Sequence, residues 1–253
     1  MTPSPRAHWS VVDVAGWPCE VYSPVEPVPG RAVVHLHDLD CRPLGETPGL
    51  REAVEQARLP VLAPHTGRSW WLDRVVPAFD PRVTPERHVI DGILPEVLAR
   101  FGVAPPQVAL IGTGMGGQGA LRLSYRHPGL FPVAAALRPA IDFHAAMRRA
   151  VDGDDDRYDT LWAVYGDVER ARQDTAILHV HPLNWPRHQW FASDPHDPHW
   201  HDGAVRLHSK LAALGIPHTA LLDARGSSAP DTVAVDAVRF VLAALDQESR
   251  RLA

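Results

Sequence analysis

Lysine is almost missing from this chain: Lys210 is alone among 25 basic residues, the rest being arginine. No run of Lys or Arg is long enough to follow a phosphate backbone, so nucleic acid is excluded as an expected partner. The arginine bias itself carries no functional weight. Cysteine is nearly as scarce, with Cys19 and Cys41 only. Two thiols make no disulfide framework, and they lack the paired spacing of a structural zinc site, so a reducing cytoplasm is the expected setting. Runs of about 18 apolar residues are absent, and the opening MTPSPRAHWS has no apolar leader, which predicts a soluble, unexported protein with no membrane role. There is no internal repeat or low-complexity tract, and the acidic run Asp152, Asp154, Asp155, Asp156 lacks calcium-loop spacing and reads as a solvated loop.

What is present is an ordinary globular composition, 45% hydrophobic over 253 residues with a net charge of −5 from scattered acids. One domain over 1–253 is expected, with 1–30 as an N-terminal hairpin and linker. β-branched and aromatic residues flank Ala15-Gly16 over 8–23, which predicts two strands joined by a tight turn. Apolar runs at 31–39, 59–65, 107–111, 133–138, 188–194 and 218–224 read as strands. Helical spacing covers 47–58, 84–101, 115–127, 203–214 and 231–248, with 143–174 largely helical or irregular. Strand and helix alternate almost throughout. The expected class is therefore α/β, a mostly parallel central sheet with an antiparallel N-terminal hairpin and helices on both faces.

The informative junction is the strand QVALI, the turn Gly112-Thr113-Gly114-Met115-Gly116-Gly117 and the helix after it. A strand, a glycine-rich turn and a helix are the setting of the G-x-S-x-G nucleophile elbow, where small residues let the backbone fold sharply and present a serine hydroxyl. Here Gly114 stands in the serine's place. With Met115-Gly116-Gly117-Gln118-Gly119-Ala120-Leu121 continuing the pattern, the segment resembles the elbow of the esterase family that includes S-formylglutathione hydrolases and mycolyltransferases. ERHVIDGILPEVLARFGV and GAVRLHSKLAALGIPH extend the resemblance over most of the chain. It implies an α/β-hydrolase fold, with the triad acid after HQWFASD at Asp197, or else Asp194, and the histidine after the last strand. That last place reads Arg225-Gly226-Ser227-Ser228, so Ser228 takes the histidine's position, and no His follows His218.

Glycine offers no atom to attack a carbonyl, and serine accepts no proton near neutral pH, so two of three triad roles are vacant. Two independent vacancies point to natural decay or repurposing rather than a single trapping substitution. The turn still leaves the Met115 N–H aimed at the pocket, with Leu39 beside Asp38 expected as the second oxyanion-hole donor. Such a hole is expected to hold a small acyl, ester or carboxylate ligand without reaction. A pseudo-esterase is thus the leading reading. The alternative is ester hydrolysis by unconventional or metal-assisted chemistry through pocket His and Asp residues, and a remnant without a ligand comes third. Fifteen histidines, six of them between 179 and 201, motivate the alternative, but no spacing imposes metal geometry, so no metal and no cofactor are assigned. His37 and His65 follow strands whose C-terminal ends face the expected pocket, and Trp70 and Trp71 are candidates for its wall. Oligomeric state is not legible in the sequence.

Overall fold

The computed structural model describes residues 7–150, 155–224 and 230–252. β1 (His8–Val14) and β2 (Trp17–Ser23) pair antiparallel, with Val14 opposite Trp17. Ala15 and Gly16 both take positive φ, 54° and 89°, the two-residue turn whose twist matches its strands. The hairpin joins β3 (Ala32–Leu36), β4 (Val61–Pro64), β5 (Val108–Thr113), β6 (Val133–Leu137), β7 (His188–Ala192) and β8 (Thr219–Leu221) in one sheet of order β1-β2-β4-β3-β5-β6-β7-β8. β2 runs antiparallel to β4, and the pairs from β4 through β8 are parallel. The strand expected over 218–224 shrinks to three residues, as suits a sheet edge with one neighbour.

Helices cover both faces, so the central strands are apolar on both sides rather than alternating. On one face α1 (Pro48–Gln56) and α9 (Pro230–Leu252) pack Leu50, Val54, Val238 and Val241 against Val33, Ile111 and Ala135. On the other, α4 (Met115–Arg126) and α8 (His201–Ala213) lie over Leu36, Leu110 and Phe191. The helical run expected over 84–101 is α2 (Pro85–Arg87) and α3 (Leu94–Phe101) joined through a π-helical turn, His88–Ile93. Thr84 caps it by accepting from the Arg87 N–H at 3.1 Å, and Gly102 ends it at φ 65°. The segment 143–174 holds α5 (Phe143–Ala150), α6 (Asp159–Tyr165) and α7 (Val168–Arg172).

A buried charge network fastens this face. Arg122 on α4 is 1% exposed and donates to Glu86 Oε2 and Asp174 Oδ1, both at 2.6 Å. His127 and Arg126 meet the other Glu86 oxygen, while Tyr165 and His179 meet Asp174. Buried charges persist only when paired this thoroughly, and the cationic partners hold both carboxyls below the ordinary range although burial opposes it. No helix among the described residues is long and apolar enough to cross a membrane.

Candidate functional site

The β5–α4 turn is sharp because its glycines let backbones cross. A Cβ on Gly112 would strike the Gly116 carbonyl, and one on Gly116 would strike the Leu36 carbonyl of β3. Gly114 sits between them at φ 51°, ψ −112°, a conformation L side chains rarely adopt. Its N–H donates to Leu137 O and its carbonyl accepts from Ala140 and Gln118, which fixes the turn against the end of β6.

The space a side chain at 114 would need is occupied. A Cβ built there overlaps Oδ1, Cγ and Oδ2 of Asp38, which reaches across from the end of β3. Asp38 Oδ1 accepts from the Leu39 N–H at 2.7 Å and the Met115 N–H at 2.9 Å. Those are the two amides expected as oxyanion-hole donors, and both are spent on the chain's own carboxylate. Met115 begins α4, whose first turn holds no acidic residue, and Asp38 supplies the negative charge that a helix N-terminus favours. Burial pushes the Asp38 carboxyl above its usual range, against the pull of the two amides; Asp40 adds to the rise and Arg138 opposes it.

Next to the elbow a pocket of about 850 Å³ opens at the C-terminal ends of β5, β6 and β7. Its apolar wall includes Leu50, Leu137, Ala192 and Val233, and its polar rim includes Arg42, Arg138, Asp194 and Asp197. Asp197 Oδ1 accepts from the His199 and Trp200 amides at 2.9 and 3.2 Å, and Oδ2 accepts from Arg138 Nε at 3.2 Å. Asp194 instead closes a local turn, accepting from His196 N at 2.9 Å. Asp197 therefore has a guanidinium partner, and Ser228 lies outside the described residues.

His37 and His65 stack with ring centroids 5.7 Å apart. His37 Nδ1 donates to Asp38 O at 2.9 Å and Nε2 accepts from the Thr66 N–H at 3.2 Å, so both nitrogens are used and the ring is neutral. Burial drives its pKa down to about 4. His37 thus holds the Asp38 backbone and has no free lone pair for a substrate. Trp70 and Trp71, expected at the pocket wall, are fully buried in the core instead. Trp70 N–H donates to Met115 Sδ at 3.3 Å, and Trp71 Nε1 donates to His37 O at 3.2 Å, so the pair braces the elbow from below. Both hold positive φ, 57° and 55°, a strain that tight packing sustains.

The remaining histidines disperse: His179 meets Asp174, His188 meets Glu248, His196 meets Asp194 and His201 meets Ser193. No group of three or more His, Cys, Asp or Glu among the described residues is placed to hold a metal ion. Sequence reasoning missed Arg138 as the partner of Asp197, and it placed Asp38 beside the hole without foreseeing it as the occupant. The available signal was an aspartate immediately before one hole donor and a glycine immediately before the other.

The fold is shared with several solved structures. A ferulic acid esterase superposes with a TM-score of 0.70 at 14% identity, covering 94% of this chain and 100% of its own. An S-formylglutathione hydrolase from Agrobacterium tumefaciens gives 0.70 at 14% identity, covering 95% and 94%. MPT51 of Mycobacterium tuberculosis gives 0.66 at 15% identity, covering 95% and 98%. No curated protein sequence matches this chain. The sequence profile of the family described as "Putative esterase" matches residues 51–247, most of the chain and the whole stretch from α1 through the elbow to α9, and the chain belongs to that family.

Proposed function

We propose that this chain is a non-catalytic member of its family that binds a small ligand in the pocket beside the elbow. The observation that carries the reading is the Asp38 carboxylate on the Leu39 and Met115 amides. Acyl transfer needs a nucleophile and hydrogen-bond donors free to receive the developing oxyanion. Gly114 provides no nucleophile, and Asp38 consumes the donors. The alternative of metal-assisted hydrolysis gains no support from the dispersed histidines. Family membership supports a ligand of small-ester size and character, and the pocket volume suits one. The scarce cysteines suit a reducing, cytoplasmic setting.

The test combines chemistry and binding. Purified protein should show no labelling by a fluorophosphonate and no serine-dependent turnover of p-nitrophenyl esters. It should still bind p-nitrophenyl butyrate by ligand-observed NMR, with the signal lost in Leu137→Trp, which fills the pocket. Stoichiometric labelling of a pocket serine would overturn the non-catalytic part, and binding unaffected by Leu137→Trp would overturn the placement.

A further inference from the structure

We propose that Asp38 inverts the recognition chemistry of the oxyanion hole, so that the group a ligand presents there is a protonated amine rather than a carbonyl oxygen or carboxylate. The inference rests on the ligand-binding reading above and names the chemistry at one end of that site. An empty hole offers two converging N–H donors to an oxygen. Here both are spent on Asp38 Oδ1, at 2.7 and 2.9 Å. What remains is Asp38 Oδ2, which accepts no hydrogen bond and joins no ion pair among the described residues. Asp38 as a residue is half-buried, and the pocket lined by Thr113, Leu137 and Arg138 starts nearby without including Asp38 in its wall. Thr113 precedes Gly114, whose Cβ would overlap the carboxylate, and Leu137 O accepts the Gly114 N–H, so the pocket begins one residue from the glycine that Asp38 covers.

The nearby cations among the described residues have other partners. Arg138 gives Nε to Asp197, Arg68 spans Asp156 and the Leu39 carbonyl, and Arg42 faces Asp40. Arg138 tempers the charge on Asp38 without contacting it, and Asp40 adds negative field. A half-satisfied carboxylate next to the start of a pocket is complemented by a donor carrying positive charge, and a charge-assisted hydrogen bond is shorter and stronger than a neutral one. A carboxylate or ester carbonyl would meet an acceptor where the fold elsewhere offers donors.

The experiment compares butylammonium with butyrate, which share an apolar body, by ligand-observed NMR on the full chain. Wild type should bind butylammonium about tenfold or more tightly than butyrate. Asp38→Asn keeps an oxygen on the two amides but turns the free oxygen into a donor, and should erase the preference. Asp38→Ala frees both amides and should reverse it, so that butyrate gains. Wild type preferring butyrate, or an unchanged preference in both variants, overturns the inference. Binding of neither probe while p-nitrophenyl butyrate still binds also overturns it and leaves the ligand-binding reading intact. Turnover of that ester at a pocket serine would instead strike the non-catalytic reading.

Discussion

A serine at 114 tests the structure hardest, because Gly114→Ser must do two unfavourable things at once. It places a side chain on a backbone at φ 51°, ψ −112°, and strain of this kind costs about 1–3 kcal/mol. It also expels Asp38, since any Cβ at 114 overlaps that carboxylate. Expulsion breaks bonds of 2.7 and 2.9 Å to a charged acceptor, each worth about 1.5–3 kcal/mol. Part of that loss is returned, because burial opposes the Asp38 charge and the expelled side chain regains water. The expected net destabilisation is about 3–5 kcal/mol. In an Asp38→Ala background the second contribution is already gone, and Gly114→Ser should cost only the strain, about 1–3 kcal/mol. The cycle of wild type, both singles and the double, read from urea midpoints at constant m-value, should therefore give a coupling of about 2 kcal/mol. Equal costs of Gly114→Ser in the two backgrounds would refute the steric exclusion, and a stabilised Gly114→Ser would refute the strain as well.

Three further outcomes are expected. Gly114→Ser with Ser228→His should hydrolyse an activated short-chain ester no better than either single change while Asp38 fills the hole; adding Asp38→Ala should produce synergy that Asp197→Ala removes. If the double variant already matches the triple in kcat/KM, Asp38 is not the obstacle. Arg122→Ala strands Glu86 and Asp174 without their shared guanidinium and should destabilise by about 3–5 kcal/mol; a urea midpoint within error of wild type would show the network to be inert. Burial sets His35 at about 3 and His37 at about 4, below the ordinary 6.5, so the stability they contribute is complete above the unfolded value and is lost as pH falls toward the folded ones. Urea midpoints should decline from neutral pH into that window, less steeply in His35→Phe, and an identical slope in the variant would refute the assignment.

The fold was legible because its signals are local. The 8–23 hairpin, the alternation of apolar runs with helical spacing, and the glycine-rich turn at 112–117 each depend on residues adjacent in sequence, and each stands where expected. The π-helical turn at His88–Ile93 was not legible, since it preserves the apolar spacing of an α-helix while shifting hydrogen-bond partners. The site was half legible. Gly114, Met115 and Leu39 could be named from the elbow pattern, but what fills the gap between two amides 76 residues apart depends on side-chain reach across the sheet. Trp70 and Trp71 show the same limit: their place after a strand end leaves pocket wall and plain packing both open, and burial of both rings in the core depends on contacts across the fold. His37 stands at a strand end that points it toward the expected pocket, but the Asp38 carbonyl on Nδ1 and the Thr66 amide on Nε2, contacts that sequence does not reveal, occupy both of its nitrogens.

The pairing of Gly114 with Asp38 says more than either residue does alone. A side chain at 114 and the Asp38 carboxylate cannot share that space, so Asp38 holds its place only because residue 114 is glycine. With glycine at 114 and no Asp38, two inward-facing amides would be left to water or to whatever anion the pocket admits. Instead they hold a carboxylate on two hydrogen bonds at a helix N-terminus, where the dipole favours it. An internal ligand tethered one residue from its own donor binds with an effective concentration no small external anion reaches at ordinary levels. On the proposed reading, free carboxylates are therefore poor competitors for the hole in wild type, and they become competent only when Asp38 is removed. On the same reading, esterase chemistry introduced by a serine at 114 requires displacement of Asp38 first.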